Sequence, residues 1–401
     1  MGEGDISPLR ALFTSLSSTV GVGNVAGVAT AIHLGGPGAL FWMWIVALLG
    51  MGTKYAECTL GVHFREDLPD GTKIGGPFAF LERGAGQRWL AIIFAIFALI
   101  ECTVCGGMVQ SNSAADACET AFGIPLWASG LFLSLLTFVI IIGGIRRVGE
   151  VTVRLVPSMG MLYLTLGLGV LALFWREVPG AWTTIFSDAF TGSAAAGGFA
   201  GATFAQAIKF GAARGLFSNE AGLGTAPMAH SAARTENAVK QGMVSMLGPF
   251  IDTIVVCSIT GLAIVSTKVH LTGETGAGLT QMAFAQALGH TGEVMVMVVV
   301  ILLAFSTALA NSFYARQCLL FLTKQVIGSP SNFARWYSKI ALVYSVIFTS
   351  ILFIGAVSGL EMMWTLGDIA LALAMTPNLI GIWLLSGFLK GKTDEFLKTT
   401  P

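Results

Sequence analysis

Apolar residues run through this 401-residue chain in long stretches, interrupted by short polar segments. A helix crosses the hydrocarbon core of a bilayer in about 20 apolar residues. Ten stretches meet that length, with edges near 10–33, 37–64, 89–119, 126–144, 151–174, 200–233, 238–267, 291–325, 336–355 and 362–388. The pattern predicts an all-α integral membrane protein with ten transmembrane helices. Runs such as Val294 to Ala304 do not alternate, which excludes the period-two strands of a membrane β-barrel. Connections are short except at 65–88 and 175–199. The second is rich in Gly, Ala and Ser from Gly192 to Gly201 and has room for an interfacial or extramembrane helix, but neither holds a soluble domain. Met1 to Pro8 is polar and the first apolar run continues too far for a cleavable signal, so none is expected.

Composition agrees with the pattern. Hydrophobic residues make up 54% and charged residues 11% of the chain, against roughly 25% charged in soluble domains. That excludes a soluble enzyme, and it excludes disorder, which needs few apolar side chains. Six cysteines set in apolar runs do not make a secreted disulfide framework. Lys+Arg 22 against Asp+Glu 22 leaves no basic face for nucleic acid. The partners to expect are membrane lipid and a small solute.

Basic residues give a direction, because cytoplasmic loops collect Lys and Arg. With Arg10 cytoplasmic and ten alternating spans, 17 basic residues fall on that side and only Arg176 and Lys268 outside. Lys54, Lys209 and Arg214 lie within spans or at their edges. The expected arrangement is multi-pass in the plasma membrane with both termini cytoplasmic.

Two spans have interrupted middles. The first contains Gly21-Val22-Gly23-Asn24-Val25-Ala26-Gly27, and the sixth runs from Gly211 to Gly224 through Arg214-Gly215-Leu216-Phe217-Ser218-Asn219-Glu220. Glycine costs a helix interior about 1 kcal/mol against alanine, and polar residues at membrane depth mark function. Unwound backbone there is tolerated only in protein or beside a wet cavity. Interrupted spans in corresponding positions of two halves point to a transporter's binding site. Glycines also serve close helix packing, but packing does not require an Asn-Glu pair between them. The halves are 1–175 and 200–401, the latter with a short cytoplasmic tail, joined by an extracellular connection at 176–199.

Other motifs carry little. Gly21-x-Gly23-x-x-x-Gly27 approaches a dinucleotide fingerprint, but it follows no strand, and no acidic residue stands about 20 residues on. Cys102-x-x-Cys105 lies mid-span without a second pair, and the histidines at 33, 63, 230, 270 and 290 have no ligand spacing. No nucleophile and base can be placed together, so an enzyme is not expected. A channel would share helices and glycines, yet breaks in both halves suit alternating access better.

Several segments resemble one family, the alanine or glycine:cation symporters, also called the sodium:alanine symporter family. They are Gly4-Asp5-Ile6-Ser7, Thr19 to Ala29, Gly35 to Trp44, Thr53-Lys54-Tyr55-Ala56-Glu57, Met108-Val109-Gln110-Ser111-Asn112 and, above all, Arg214 to Gly222. The resemblance implies cation-coupled uptake of small neutral amino acids, with Na⁺ (sometimes H⁺) as coupling ion and no cofactor. It also implies the five-plus-five inverted repeat of the leucine-transporter type, with broken first and sixth helices. Members usually carry one more hydrophobic helix before the Gly-Asp-Ile-Ser segment. They often have Thr where Val22 stands and Trp where Asn311 stands.

A zwitterionic amino acid is neutral overall, so its pocket needs donors and acceptors more than charge. Backbone N–H groups at Val22, Gly23 and Asn24, opening the outer half-helix, should hold the carboxylate. Carbonyls of Phe217 and Ser218, with Asn219, should take the ammonium. Gln110 either reaches the same centre or bonds between helices, and Phe217 forms an apolar wall. By analogy with the implied fold, Ser17 and Val20 face the eighth span, where Leu303, Ser306 and Thr307 share one helical face and complete a Na⁺ site. Thr19 with Asn24 is a second candidate ion site. Asn311, one turn beyond Thr307, should line the pocket and widen it for side chains such as serine or glutamine. Among acidic residues, Glu57 is expected to pair with Lys54 at a cytoplasmic helix end and Asp368 with Lys209 as an outer gate. Glu101 is the candidate proton carrier, and Asp252 is left without a role.

Overall fold

The computed structural model describes residues 6–67, 73–191, 204–327 and 330–399, with nothing stated of the side chains at 145–146 and 330–335. Nearly all of it is helix. The first interrupted stretch divides into α1 (Pro8–Thr19), a 3₁₀ turn (Val22–Asn24) and α2 (Ala26–Gly35). Next come α3 (Ala39–His63) and α4 (Arg88–Phe122), then α5 (Leu126–Ile142), α6 (Gly144–Leu173) and α7 (Val178–Thr191). The second interrupted stretch gives α8 (Phe204–Asn219) and α9 (Ala226–His230), followed by α10 (Ala238–Ser266) and α11 (Gly276–Leu288). The chain then forms α12 (His290–Val326), α13 (Pro330–Ala356), α14 (Leu360–Leu384) and α15 (Ser386–Thr399). Seven of the described helices are long and apolar enough to cross a membrane, and two more, α2 and α5, are apolar but shorter.

Each expected apolar stretch is helical, with shifts at the edges. The fifth starts at Gly144 instead of 151. The 175–199 connection contains the expected extra helix, α7; its Gly192–Gly201 run lies outside the described residues. The segment between the seventh and eighth stretches, read as a plain connection, forms α11. The 65–88 connection holds a two-residue hairpin, Glu66–Asp67 with Lys73–Ile74.

The surface carries the signature of a lipid solvent. Leu131, Phe132, Leu135 and Val139 of α5, and Leu342, Val343, Val346 and Ile347 of α13, point outward. Exposed tryptophans sit at helix ends: Trp89 on α4, Trp127 on α5, Trp175 beyond α6, Trp336 on α13 and Trp383 on α14. Rings of that kind gather where hydrocarbon meets headgroups. Polar side chains are turned inward instead, among them Lys54, Glu57, Glu101, Arg214, Glu220 and Asp252. This is a multi-pass membrane protein with polar side chains gathered inside an apolar core.

Candidate functional site

The first break is built by satisfying backbone groups from outside the helix. After Thr19, Val20 leaves the helical region (ψ 84°) and Gly21 is extended. Asn24 Oδ1 accepts the Gly21 N–H at 2.9 Å, and Gln110 Oε1 accepts the Val22 N–H at 3.2 Å. Glycine is needed here for close approach, since the φ of Gly21 and of Gly23 is not left-handed. A Cβ on Gly21 would lie 2.5 Å from Thr307 Oγ1, and one on Gly23 would lie 3.2 Å from the Phe217 ring.

The second break lies at 220–225, at the far end of the stretch from Gly211 to Gly224. Gly211 and Gly215 remain helical and pack on α3, where added Cβ atoms would meet Ala39 O at 2.4 Å and Met43 Cα at 3.3 Å. The turn itself uses left-handed residues: Glu220 (φ 53°), Gly222 (φ 84°) and Gly224 (φ 86°). Its polar backbone is claimed by α3 and α14. Lys54 Nζ donates to Glu220 O at 2.8 Å, the Gly224 N–H donates to Glu57 Oε2 at 3.1 Å, and Asn378 Nδ2 donates to Gly222 O at 2.7 Å. The Lys54–Glu57 pair is present (3.5 Å), but both side chains are fully buried beneath this turn and not at a helix end.

Between the breaks lies a cavity bordered by Ser18, Thr19, Gly21 and Gly23 of the first segment and Phe217 and Glu220 of the second. Glu101, Cys105, Gly106 and Gln110 of α4, Thr307 and Asn311 of α12, and Leu371 of α14 complete it. Swept by the centre of a water-sized sphere it measures about 10 Å³, roughly room for one water. An amino acid enters only if the walls part. A π-helical stretch of α4, Val104–Val109, includes Cys105 and Gly106 of the cavity wall. Such irregular turns recur at functional sites, and this one has no apolar-pattern signature.

Ser17 and Ser18 carbonyls meet α12 along one side. Ser306 Oγ and Thr307 Oγ1 each lie 3.3 Å from Ser17 O, and Thr307 Oγ1 lies 3.2 Å from Ser18 O. These separations exceed the usual 2.7–2.8 Å of O–H···O bonds. Oxygens at right angles around a hard cation at about 2.3–2.6 Å lie about 3.3–3.7 Å apart. Leu303 is fully buried one turn earlier on α12.

Gly23, Gln110, Phe217 and Asn311 thus border the cavity, as do Thr19 and Thr307. Asn24, Ser218 and Asn219 are held behind it. Asn24 Nδ2 donates to Asp252 Oδ1 at 2.7 Å, Ser218 Oγ donates to Asp252 Oδ2 at 2.8 Å, and Asn219 Oδ1 accepts the Ala221 N–H at 3.0 Å. No hydrogen bond joins Thr19 to Asn24. Asp252, on a π-helical stretch of α10 (Phe250–Cys257), thus links Asn24 of the first break to the end of α8, which Asn24 Nδ2 also reaches directly at Ser218 Oγ (3.2 Å). Asp368 pairs with Arg214, not with Lys209, whose ammonium lies over the Phe210 ring at 5.1 Å. Arg214 is held in place by stacking 4.3 Å from the Trp364 ring, which meets Phe217 edge-on at 4.8 Å.

Comparisons with known proteins identify the family and the fold. A solved structure described as the substrate-bound outward-open state of a Na⁺-coupled sialic acid symporter superposes with a TM-score of 0.63 at 14% identity. The match covers 93% of this chain and 79% of that one, so the fold is shared. "Sodium/alanine symporter AgcS" of Methanococcus maripaludis is 42% identical over 98% of this chain and 85% of its own length. "Probable sodium/glutamine symporter GlnT" of Bacillus subtilis is 33% identical over 96% and 77%. Residues 1–400 match the model of the sodium:alanine symporter family, and the chain belongs to that family.

Proposed function

We propose that this protein couples Na⁺ entry to uptake of a small neutral amino acid, alanine or glycine, by alternating access in the plasma membrane. The observation that carries the reading is the seam of Ser17 and Ser18 carbonyls against the Ser306 and Thr307 hydroxyls, beside the cavity between the breaks. Na⁺ binds at that seam, with Val20 and Leu303 closing the shell. The amino acid carboxylate takes the Val22 N–H from Gln110, and its side chain meets Phe217. The last-turn carbonyls of α8, which have no intrahelical partner, receive the ammonium.

The chain crosses the membrane ten times as two inverted halves, 1–175 and 200–401, with the breaks in the first span of each. Both termini face the cytoplasm. Supporting this direction, Arg65, Arg83 and Lys324 gather at one end, where Arg65 donates to Ser231 O and Lys324 to Glu66. Lys268 pairs with Glu177 in the connection assigned to the outside. A broader range that includes serine or glutamine is a second reading, favoured by Asn311 in the cavity wall.

Uptake of labelled alanine into proteoliposomes tests the function. An inward Na⁺ gradient should drive accumulation above equilibrium, and replacing Na⁺ by choline should abolish it. Non-saturating alanine flux without accumulation, or ionic current independent of alanine, would make the protein a channel.

A further inference from the structure

The cavity wall mixes apolar residues such as Phe217 and Leu371 with a group of oxygen-bearing side chains away from the Ser17–Ser306 contacts. Glu101 of α4, Thr19 of α1 and Asn311 of α12 are all at least 97% buried. All three residues border the same small cavity, and Glu101 Oε2, Thr19 Oγ1 and Asn311 Oδ1 have no hydrogen-bond partner. A buried polar atom left unsatisfied costs roughly 1–3 kcal/mol, and three around one void share a single remedy. Glu220 adds a second carboxylate, gripped by Ser18 Oγ on Oε1 and Thr225 Oγ1 on Oε2, both at 2.6 Å. It holds that position with a left-handed φ of 53°, a strain in a non-glycine residue that points to function.

Charge leads to the same conclusion. Buried carboxylates are normally paired with, or coordinate, a cation. Among the described residues the neighbouring cation is Lys54, already shared between Glu57 and the Glu220 carbonyl. Glu101 and Glu220 lie within electrostatic reach of each other, and the thiols of Cys102 and Cys105 beside Glu101 bring no positive charge. Water would satisfy the lone pairs without adding charge, and a proton on Glu101 would neutralise that carboxyl alone; a cation supplies charge and coordinates the oxygens together. The void has room for one water-sized occupant, which suits a dehydrated alkali cation and excludes an organic ammonium with its side chain.

We infer that Glu101, Glu220, Thr19 and Asn311 form a second Na⁺ site, separate from the one at Ser306 and Thr307. Its occupation offsets one of the two carboxylate charges before the cavity opens to substrate. As a claim about coupling it rests on the transport reading above; as a claim about binding it does not.

Titration of ²²Na⁺ onto the purified protein without amino acid separates the two. Glu101→Gln keeps the shape of the side chain and should bind one fewer Na⁺ per chain than wild type. Thr307→Ala should weaken the other Na⁺-binding component by about tenfold, and the double variant should show both changes. Thr19→Val carries the test if Glu101→Gln does not yield monodisperse protein, and should weaken one Na⁺-binding component by about tenfold or more. In proteoliposomes the Na⁺:alanine coupling ratio of Glu101→Gln should fall by one. Unchanged Na⁺ binding in both Glu101→Gln and Thr19→Val would overturn the site. So would an unchanged Na⁺ count with loss of pH dependence, which would make Glu101 a proton carrier. Two-component Na⁺ binding by a wild-type protein that moves no alanine would leave this site standing and remove the transport reading.

Discussion

Thr307 Oγ1 lies within 3.3 Å of two carbonyls, Ser17 O and Ser18 O. Thr307→Ala removes that oxygen and little packing, so it should raise the Na⁺ concentration for half-maximal uptake by roughly tenfold, or about 1.4 kcal/mol, with thermal unfolding little changed. Uptake titrated against Na⁺ in proteoliposomes reads it. Asn311 is packed against Gly106, where a Cβ would lie 2.2 Å from Asn311 Cγ, and its Nδ2 donates to Ser18 Oγ at 3.1 Å. An indole at that position has no space toward α4 and must enter the cavity. Asn311→Trp should therefore exclude serine and glutamine before alanine in competition against labelled alanine. Both residues were legible in the sequence because hydroxyls and an amide at helical spacing share one face of α12. The roles of Asn24 and Ser218 were less so. Sequence shows that a polar residue at membrane depth needs a partner, but not whether that partner is a ligand or, as here, the carboxylate of Asp252.

At the scale of elements, the two breaks were legible and their edges were not. Glycine marks both a turn and a close contact, so Gly211 and Gly215, which pack on α3, look in sequence like Gly222 and Gly224, which turn the chain. The π-helical stretches of α4 and α10 have no periodicity of their own, and α11 is too short for a span. Gly224 tests the distinction between turning and packing. Its φ is 86°, and a Cβ would lie 2.4 Å from Pro77 Cγ and 2.9 Å from the Phe94 ring. Left-handed strain of about 1–2 kcal/mol adds to an overpacking cost of about 1–3 kcal/mol. Gly224→Ala should lower the melting temperature in detergent and reduce yield, whereas Gly52→Ala, with nothing within 4 Å, should do neither.

Across the whole molecule, Arg214 and Asp368 join α8 to α14 over the cavity, with the guanidinium stacked on Trp364. Asp368 is 42% exposed while Arg214 is 3% exposed, so the pair marks a boundary between solvent and interior. Asp368→Asn should loosen that closure and speed alkylation of Cys105, a cavity-lining thiol that is otherwise buried; mass spectrometry of the labelled peptide measures the rate. The contact between Gln110 Oε1 and the Val22 N–H has a consequence for turnover. In the proposed transport reading, it supplies from the protein itself the acceptor that a substrate carboxylate would otherwise provide. An unloaded carrier can then shut around nothing, and only a carrier that recrosses unloaded produces net accumulation instead of swapping one solute molecule for another. Gln110→Ala should accordingly slow net uptake more than alanine–alanine exchange, measured on the same vesicles by preloading them with unlabelled alanine. Equal slowing of both would assign Gln110 to substrate binding alone. On that reading, one amide side chain separates a pump from an exchanger.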